Sequence, residues 1–302
     1  MVERRYYRVA GHVFSLTMEA DIIEPLTNYK PFQISEEDAA ASEPVFSLTT
    51  VDEPFDDKAK EFVFADKSDE DMPRFEISRL GKDWYFEVAP QKEAPTTSYI
   101  KVSDDFRSAQ LYIVPAKQCD YRFAVNNAAM LLYAFSTAAF NTLEMHAAVV
   151  VKDNLGYLFL GKSGTGKSTH ARQWLKAFPE SWLLNDDNPV LRLEEENGHK
   201  VMRVYGSPWS GKTPCYKNAS AEVGGIVKLS QAPHNKARVL SNSEAYAYML
   251  SSSSGLKINP PSMDAIYDTI SKMILAFRFY GLECLPDEDA ARVCYEAVST
   301  NK

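Results

Sequence analysis

The chain has 302 residues, 45% of them apolar and 12% aromatic, enough to bury a sizeable core in one large domain or two ordinary ones. Its formal charge is -8, but residues 36 to 71 hold thirteen carboxylates against three lysines, which leaves about +2 elsewhere. A basic surface seeking nucleic acid is thereby excluded, and four cysteines without C-x-x-C spacing (Cys119, Cys215, Cys284, Cys294) exclude a disulfide scaffold and point to free thiols in a reducing cytoplasm.

The start, MVERRYYRVAGHVFSLTMEAD, is interrupted by polar His12, Ser15 and Thr17 and is expected to be a first strand rather than a leader. To about residue 118, β-branched and aromatic runs (PVFSLTT, EFVFAD, RFEISRL, DWYFEVA, YIKVS, AQLYIVP) alternate with polar turns, and Leu80-Gly81-Lys82-Asp83 reads as a hairpin turn. The acidic stretch at 36–71 is expected to be exposed loop and edge strand. The organisation predicted is a β-rich domain at 1–120, a connecting helix at 121–144 and an α/β domain at 145–302. The apolar window at 128–140 is too short to span a membrane and is expected to be a buried helix.

From His146 the order is strand (AAVVV), turn (KDNLG), strand (YLFL), glycine loop, helix (KSTHARQWLKAF), strand (SWLLN) and strand (PVLRLEE). A core strand is expected at 222–230, helices at 242–251 and 262–279, and a last helix from Asp287. The spacing of Ile266, Ile270, Met273, Ile274 and Phe277 sets the face of the second of these.

The pattern G-x-x-x-x-G-K-[ST] occurs twice. At Gly161-Lys162-Ser163-Gly164-Thr165-Gly166-Lys167-Ser168 a buried strand precedes it, and Ala171, Trp174, Leu175 and Phe178 follow on one helical face. Such a loop turns backbone N–H groups toward phosphates at the positive end of a helix. Lys167 is expected to reach the β and γ phosphates of ATP and the Ser168 hydroxyl to face Mg²⁺, with Thr169 beside them. The second match, Gly206 to Thr213, has no apolar helical face after it, and Pro208 removes an N–H, so it is not a second nucleotide pocket. It is either a structural turn or a loop touching the substrate through Trp209, Ser210, Lys212 and Thr213.

Asp186 and Asp187 end an apolar strand one crossover after the first loop, which suits either Mg²⁺ or a base that takes a proton from an attacking hydroxyl. His146, before the strand leading to the loop, is structural or catalytic on the residues alone, and His170 is packing or capping.

Met145-His146, two strands, GKSGTGKSTHA and LLNDDNPV together resemble the catalytic domain of the HPr kinase/phosphorylase family, related in fold to phosphoenolpyruvate carboxykinase. The resemblance covers about residues 145–195. It implies an α/β fold of that type, ATP at Gly161 to Ser168, Mg²⁺ on Ser168 and one Asp, Asp186 or Asp187 as the base, and an active-site role for His146. It further implies a hydroxyl acceptor: a protein serine, free serine, another small alcohol or a peptide. The family forms oligomers, which implies a homo-oligomer here. The chain departs from the family at Thr169, where Glu is usual, and lacks its L-E-[IV]-R-G-[LI]-G signature, GSPWSGKTPCYKN standing there instead. The N-terminal 140 residues also differ. The other reading open to the sequence is a nucleotide sensor without catalysis. A guanine reader and an ABC signature are both missing.

Overall fold

The computed structural model describes residues 1–65, 73–115, 120–211 and 213–300. Two compact units divide the chain, Met1–Ser136 and Thr137–Lys302.

The first unit is a nine-stranded sheet with three helices. In chain order these are β1 (Val2–Val9), β2 (His12–Glu19), α1 (Ala20–Ile23), β3 (Gln33–Ile34), α2 (Glu36–Ala40), β4 (Ser47–Val51), β5 (Glu61–Ala65), β6 (Arg74–Leu80), β7 (Asp83–Ala89), β8 (Ser98–Val102), β9 (Ser108–Ile113) and α3 (Tyr121–Thr137). The strand order is β3-β1-β2-β4-β9-β8-β7-β6-β5. What reads as one N-terminal run is a hairpin, turned at Ala10 and Gly11, both at positive φ. Gly81 turns the hairpin predicted at Leu80–Asp83. The acidic stretch is only partly edge. β5 is an edge strand, but β4 lies inside the sheet, parallel to β2 and β9, because its side chains at 47–51 are uncharged and pack on both faces.

α3 stops at Thr137, short of the predicted helical bridge to 144, whose last residues form a strand of the second unit. With the following turn, Tyr121–Phe140 spans 20 residues at a mean hydropathy of 1.3, long and apolar enough by composition to cross a membrane. Within the first unit, however, Ala124, Val125, Ala128, Ala129, Leu132 and Tyr133 are buried, as in a core helix, and the Tyr133 hydroxyl donates to Val9 O at 3.0 Å.

The second unit holds β10 (Thr142–Glu144), β11 (Ala147–Lys152), β12 (Leu155–Leu160), α4 (Lys167–Ala177), β13 (Trp182–Asp187), β14 (Val190–Glu196) and β15 (His199–Tyr205). It continues with β16 (Ser220–Gln231), β17 (Lys236–Val239), α5 (Asn242–Ser252), α6 (Pro260–Ala276), β18 (Phe279–Cys284) and α7 (Glu288–Ser299). Its sheet runs β10-β14-β15-β16-β12-β11-β13, with β18 beside β16 and β17 beside β18. β12, β16 and β18 are parallel to one another, so their carboxyl ends share one edge. β11 pairs antiparallel with β12 through Asp153 and Asn154, both at positive φ, as a two-residue hairpin turn that matches strand twist requires.

Alternation along β12 serves both faces. Leu158 and Leu160 pack in one core with Met249, Ile266, Ile270 and Met273 from α5 and α6. Tyr157 and Phe159 pack in the other with Ala171 and Trp174 of α4 and Ala291, Cys294 and Val298 of α7. The stripe predicted on α4 thus faces this second core, where Leu175 and Phe178 also pack. α6 ends at Ala276, three residues early, because Phe277 turns extended and leads into β18, a strand the helical pattern had hidden. α7 begins as predicted, with the Asp287 carboxylate accepting from Ala290 N at 2.9 Å.

Candidate functional site

β12 delivers the chain to Gly161 at the sheet edge, and α4 starts at Lys167. Gly164 and Gly166 sit at φ 76° and 105°, left-handed values that favour glycine, and Gly166 is the N-cap of α4. A Cβ on Gly161 would meet the Thr165 side chain at 3.0 Å. Lys162, Ser163 and Gly164 are exposed, while Ser168 and Thr169 occupy the first turn of α4 half-buried. Gln231, the last residue of β16, donates to Gly164 O at 3.3 Å.

Lys167 folds back into the loop. Its Nζ donates to Gly161 O at 2.9 Å and Lys162 O at 3.3 Å and lies 2.8 Å from His146 Nε2. Burial lowers its pKa from the usual lysine range, against the opposing pull of Asp187 and Asp186. An ammonium can only donate, so His146 Nε2 accepts and the imidazole proton sits on Nδ1. From there it faces Asp187 Oδ1 at 3.0 Å. The other Asp187 oxygen accepts from Asn188 Nδ2 at 3.1 Å. Loop lysine, histidine and strand-end carboxylate therefore stand in one run, Lys167 hydrogen-bonded to His146 and His146 at ion-pair distance from Asp187, and Asp186 lies next to it with a buried Oδ1 that has no partner among the described residues.

The antiparallel hairpin explains this convergence. His146 precedes β11 and Gly161 follows β12, so both reach the same edge, and β13 pairs with β11 to bring Asp187 opposite Ala147 and Asp186 opposite Ala148.

The second glycine match serves the Asp pair from below. Asn185, fully buried, accepts from Asp187 N and Asn188 N at 2.9 Å each, and its Nδ2 donates to Ser207 Oγ at 3.2 Å and Trp209 O at 3.0 Å. Ser207 Oγ donates to Asn188 O at 2.5 Å. Gly211 passes so close that a Cβ there would sit 3.2 Å from Asp186 O and from Asp187 Cβ. No helix follows, residues 213–219 being irregular. Trp209 is 2% exposed and anchors the loop. Ser210 and Thr213 are half-buried, Ser210 Oγ donating to Thr213 O at 2.7 Å, and Lys212 lies outside the described residues.

Two buried groups refine the picture. Glu144, before His146, is fully buried, and among the described residues its carboxyl oxygens have no hydrogen-bond partner at full geometry. Burial first, and the charge of Asp187 second, push its pKa well above the usual range, the Ser254 hydroxyl offsetting this only in part. Neither spacing nor composition marks it. His170 is packing, as expected: Trp174 Nε1 donates to its Nε2 at 3.0 Å, Phe159 meets its ring edge-on, and burial lowers its pKa to about 4.

Mg²⁺ takes one or two protein oxygens and fills its octahedron with water and phosphate. Among the described residues no three His, Cys, Asp or Glu side chains converge as a cage. The orphaned Asp186 Oδ1 and the Ser168 hydroxyl are hard oxygen donors of the type that ion uses, so the residues fit it.

No family model matches the chain, and no curated protein matches it. Among solved structures it is similar to an Hpr(Ser) kinase/phosphatase from Coxiella burnetii, at 15% identity and a TM-score of 0.30, over 52% of this chain and 94% of that one.

Proposed function

We propose that the second unit is an ATP-dependent phosphotransferase that moves the γ-phosphoryl group to a hydroxyl acceptor. The observation that carries this reading is the run Lys167–His146–Asp187 beside a buried Asp186 oxygen that has no partner among the described residues. A loop that served only to hold phosphate would not need a histidine and carboxylate linked to its lysine.

In the proposed reaction, backbone N–H groups from Gly161 to Ser168 and the end of α4 hold the phosphates, and Lys167 leaves its loop carbonyls for the β and γ oxygens. His146, released on its Nε2 side, still holds Asp187 through Nδ1–H and keeps that carboxylate oriented. One carboxylate of the pair takes the hydroxyl proton as the acceptor oxygen bonds to the γ phosphorus and the bond to the bridging oxygen breaks, giving ADP and a phosphomonoester. Ser168 and Asp186 would hold Mg²⁺, which supplies charge neutralisation at the phosphates when bound.

The test is Asp187→Asn and Asp186→Asn with labelled γ-phosphoryl ATP and a panel of small hydroxyl compounds, serine peptides and lysate. Both variants should bind ATP within about threefold of wild type and lose transfer by roughly two orders of magnitude or more. Nucleotide binding with no transfer to any acceptor by wild type would leave the sensor reading in place of the kinase.

A further inference from the structure

A second polar site lies on the same sheet edge, on the far side of the loop from the Asp pair. Register places it. Lys228 on β16 stands beside Leu160, the residue before Gly161, and also beside Gly281 on β18, which in turn pairs with Arg238 on β17. Residues paired across neighbouring strands share a face, so one row across three strands reads cation, glycine, cation. Over Gly281 the Leu240 side chain packs so closely that a Cβ there would lie 3.0 Å from it, so the floor between Lys228 and Arg238 is apolar. In the next row toward the carboxyl ends of β16 and β18, Ser230 pairs with Glu283 and Glu283 with Lys236. Together these residues line a cavity of about 130 Å³, to which Tyr248 of α5 also contributes.

Its charges do not cancel. Three cations, Lys228, Lys236 and Arg238, stand against two carboxylates, Glu283 in the lining and Glu244, which pairs with Arg238 at 2.6 Å, while His234, 2.9 Å from Glu283, adds charge only when protonated. Lys228 bonds to the Ser230 hydroxyl and lies 5.2 Å from the Tyr248 ring centroid, and neither Lys228 nor Lys236 has a carboxylate partner among the described residues. Two lysines in adjacent rows without a carboxylate ion pair, with the Ser230 hydroxyl between the strands, suit a small anion. The place suits it too, since ligands of open α/β sheets bind at the carboxyl ends of parallel strands. Gln231, next to Ser230, touches the phosphate loop, so an occupant here adjoins the loop's outer rim.

We propose that this cleft binds the phosphate or carboxylate group of the phosphoryl acceptor, which would make the acceptor an anionic hydroxyl compound. The anion site stands on the cleft alone, whereas its assignment to the acceptor rests on the kinase reading. A nucleotide phosphate is the other source of the same chemistry, and the experiment separates the two.

Wild type, Lys167→Met and the pair Lys228→Met/Lys236→Met are titrated calorimetrically with inorganic phosphate and, separately, with ATP, using the full chain. Lys167→Met should keep a phosphate site that the double variant weakens by at least roughly tenfold, while the double variant binds ATP within about threefold of wild type. Lys228→Arg/Lys236→Arg should retain the phosphate site, which guards against a loss through misfolding. Phosphate binding unchanged in the double methionine variant overturns the proposal. Joint loss of phosphate and ATP binding gives the cleft to the nucleotide and overturns the acceptor assignment. If wild type binds no ATP yet phosphate is lost in the double variant, the kinase reading fails and the anion cleft stands.

Discussion

Lys167 Nζ lies 2.8 Å from His146 Nε2, in a bond that exists only while the lysine is turned into its own loop. In the proposed reaction, a triphosphate that draws Lys167 out of its loop releases His146 on its Nε2 side. His146→Asn should leave ATP affinity within about threefold and lower transfer by roughly ten- to a hundredfold, because Asp187 loses the Nδ1–H that orients it. Separate measurement of ATP binding and turnover checks this, and an equal loss in both would place His146 in nucleotide binding instead.

Asn185 makes four hydrogen bonds with no exposure to solvent. Asn185→Ala should cost roughly 2–3 kcal/mol of stability, since buried donors and acceptors on both loops lose their partners. In the folded fraction transfer should fall with ATP affinity kept. Urea unfolding with a parallel binding titration reads both; a variant as stable as wild type would show that the network is dispensable.

The two glycines that frame the second motif should fail differently. A Cβ on Gly206 would lie 2.0 Å from Lys217 O, and Gly206→Ala should destabilise the second unit by about 1–3 kcal/mol. On Gly211 the Cβ meets Asp186 O and Asp187 Cβ at 3.2 Å, so Gly211→Ala should chiefly depress transfer while the melting temperature moves little. Thermal melts and turnover for the two variants side by side decide it.

His170 makes stability depend on pH. Its folded pKa is about 4 against 6.5 when unfolded, so between these values the unfolded chain binds the extra proton and stability falls as pH drops from 6.5 toward 4. The loss approaches about 3 kcal/mol at the lower end. His170→Gln, which keeps an acceptor for Trp174 Nε1, should show a shallower decline in urea melts across that range. Parallel curves for the two proteins would refute the assignment.

Much of the second unit was readable because period and punctuation agree there. YLFL, the glycine loop and Ala171, Trp174, Leu175 and Phe178 specify strand, turn and helix in succession, and both cores receive them. β18 was not readable, since Phe277 continues the apolar spacing of α6 and carries the expected helix past its end, and only pairing with β16 and β17 makes the following residues extended. β4 was missed as an interior strand because the charge around it, rather than on it, dominated the composition. Asn185 and Glu144 were invisible for a different reason. Burial and partners some twenty or more positions away, Ser207 and Trp209 for Asn185 and Asp187 for Glu144, decide their roles, and no local pattern encodes these. The burial of Trp209 was equally unreadable, an aromatic in a polar loop being its anchor.

The tight turn at Asp153 and Asn154 also bears on the order in which this edge can form. By folding β11 directly back on β12, it lets His146 meet the start of the glycine loop through a short chain closure, and β13 then adds the carboxylates from the next segment along. The parallel pairing of β12 with β16 spans far more chain and closes a larger loop, at greater entropic cost. The Lys167–His146–Asp187 chain is thus built from local contacts, whereas the basic cleft waits for the long-range strands, and pulsed hydrogen exchange should protect β11 and β12 before β18.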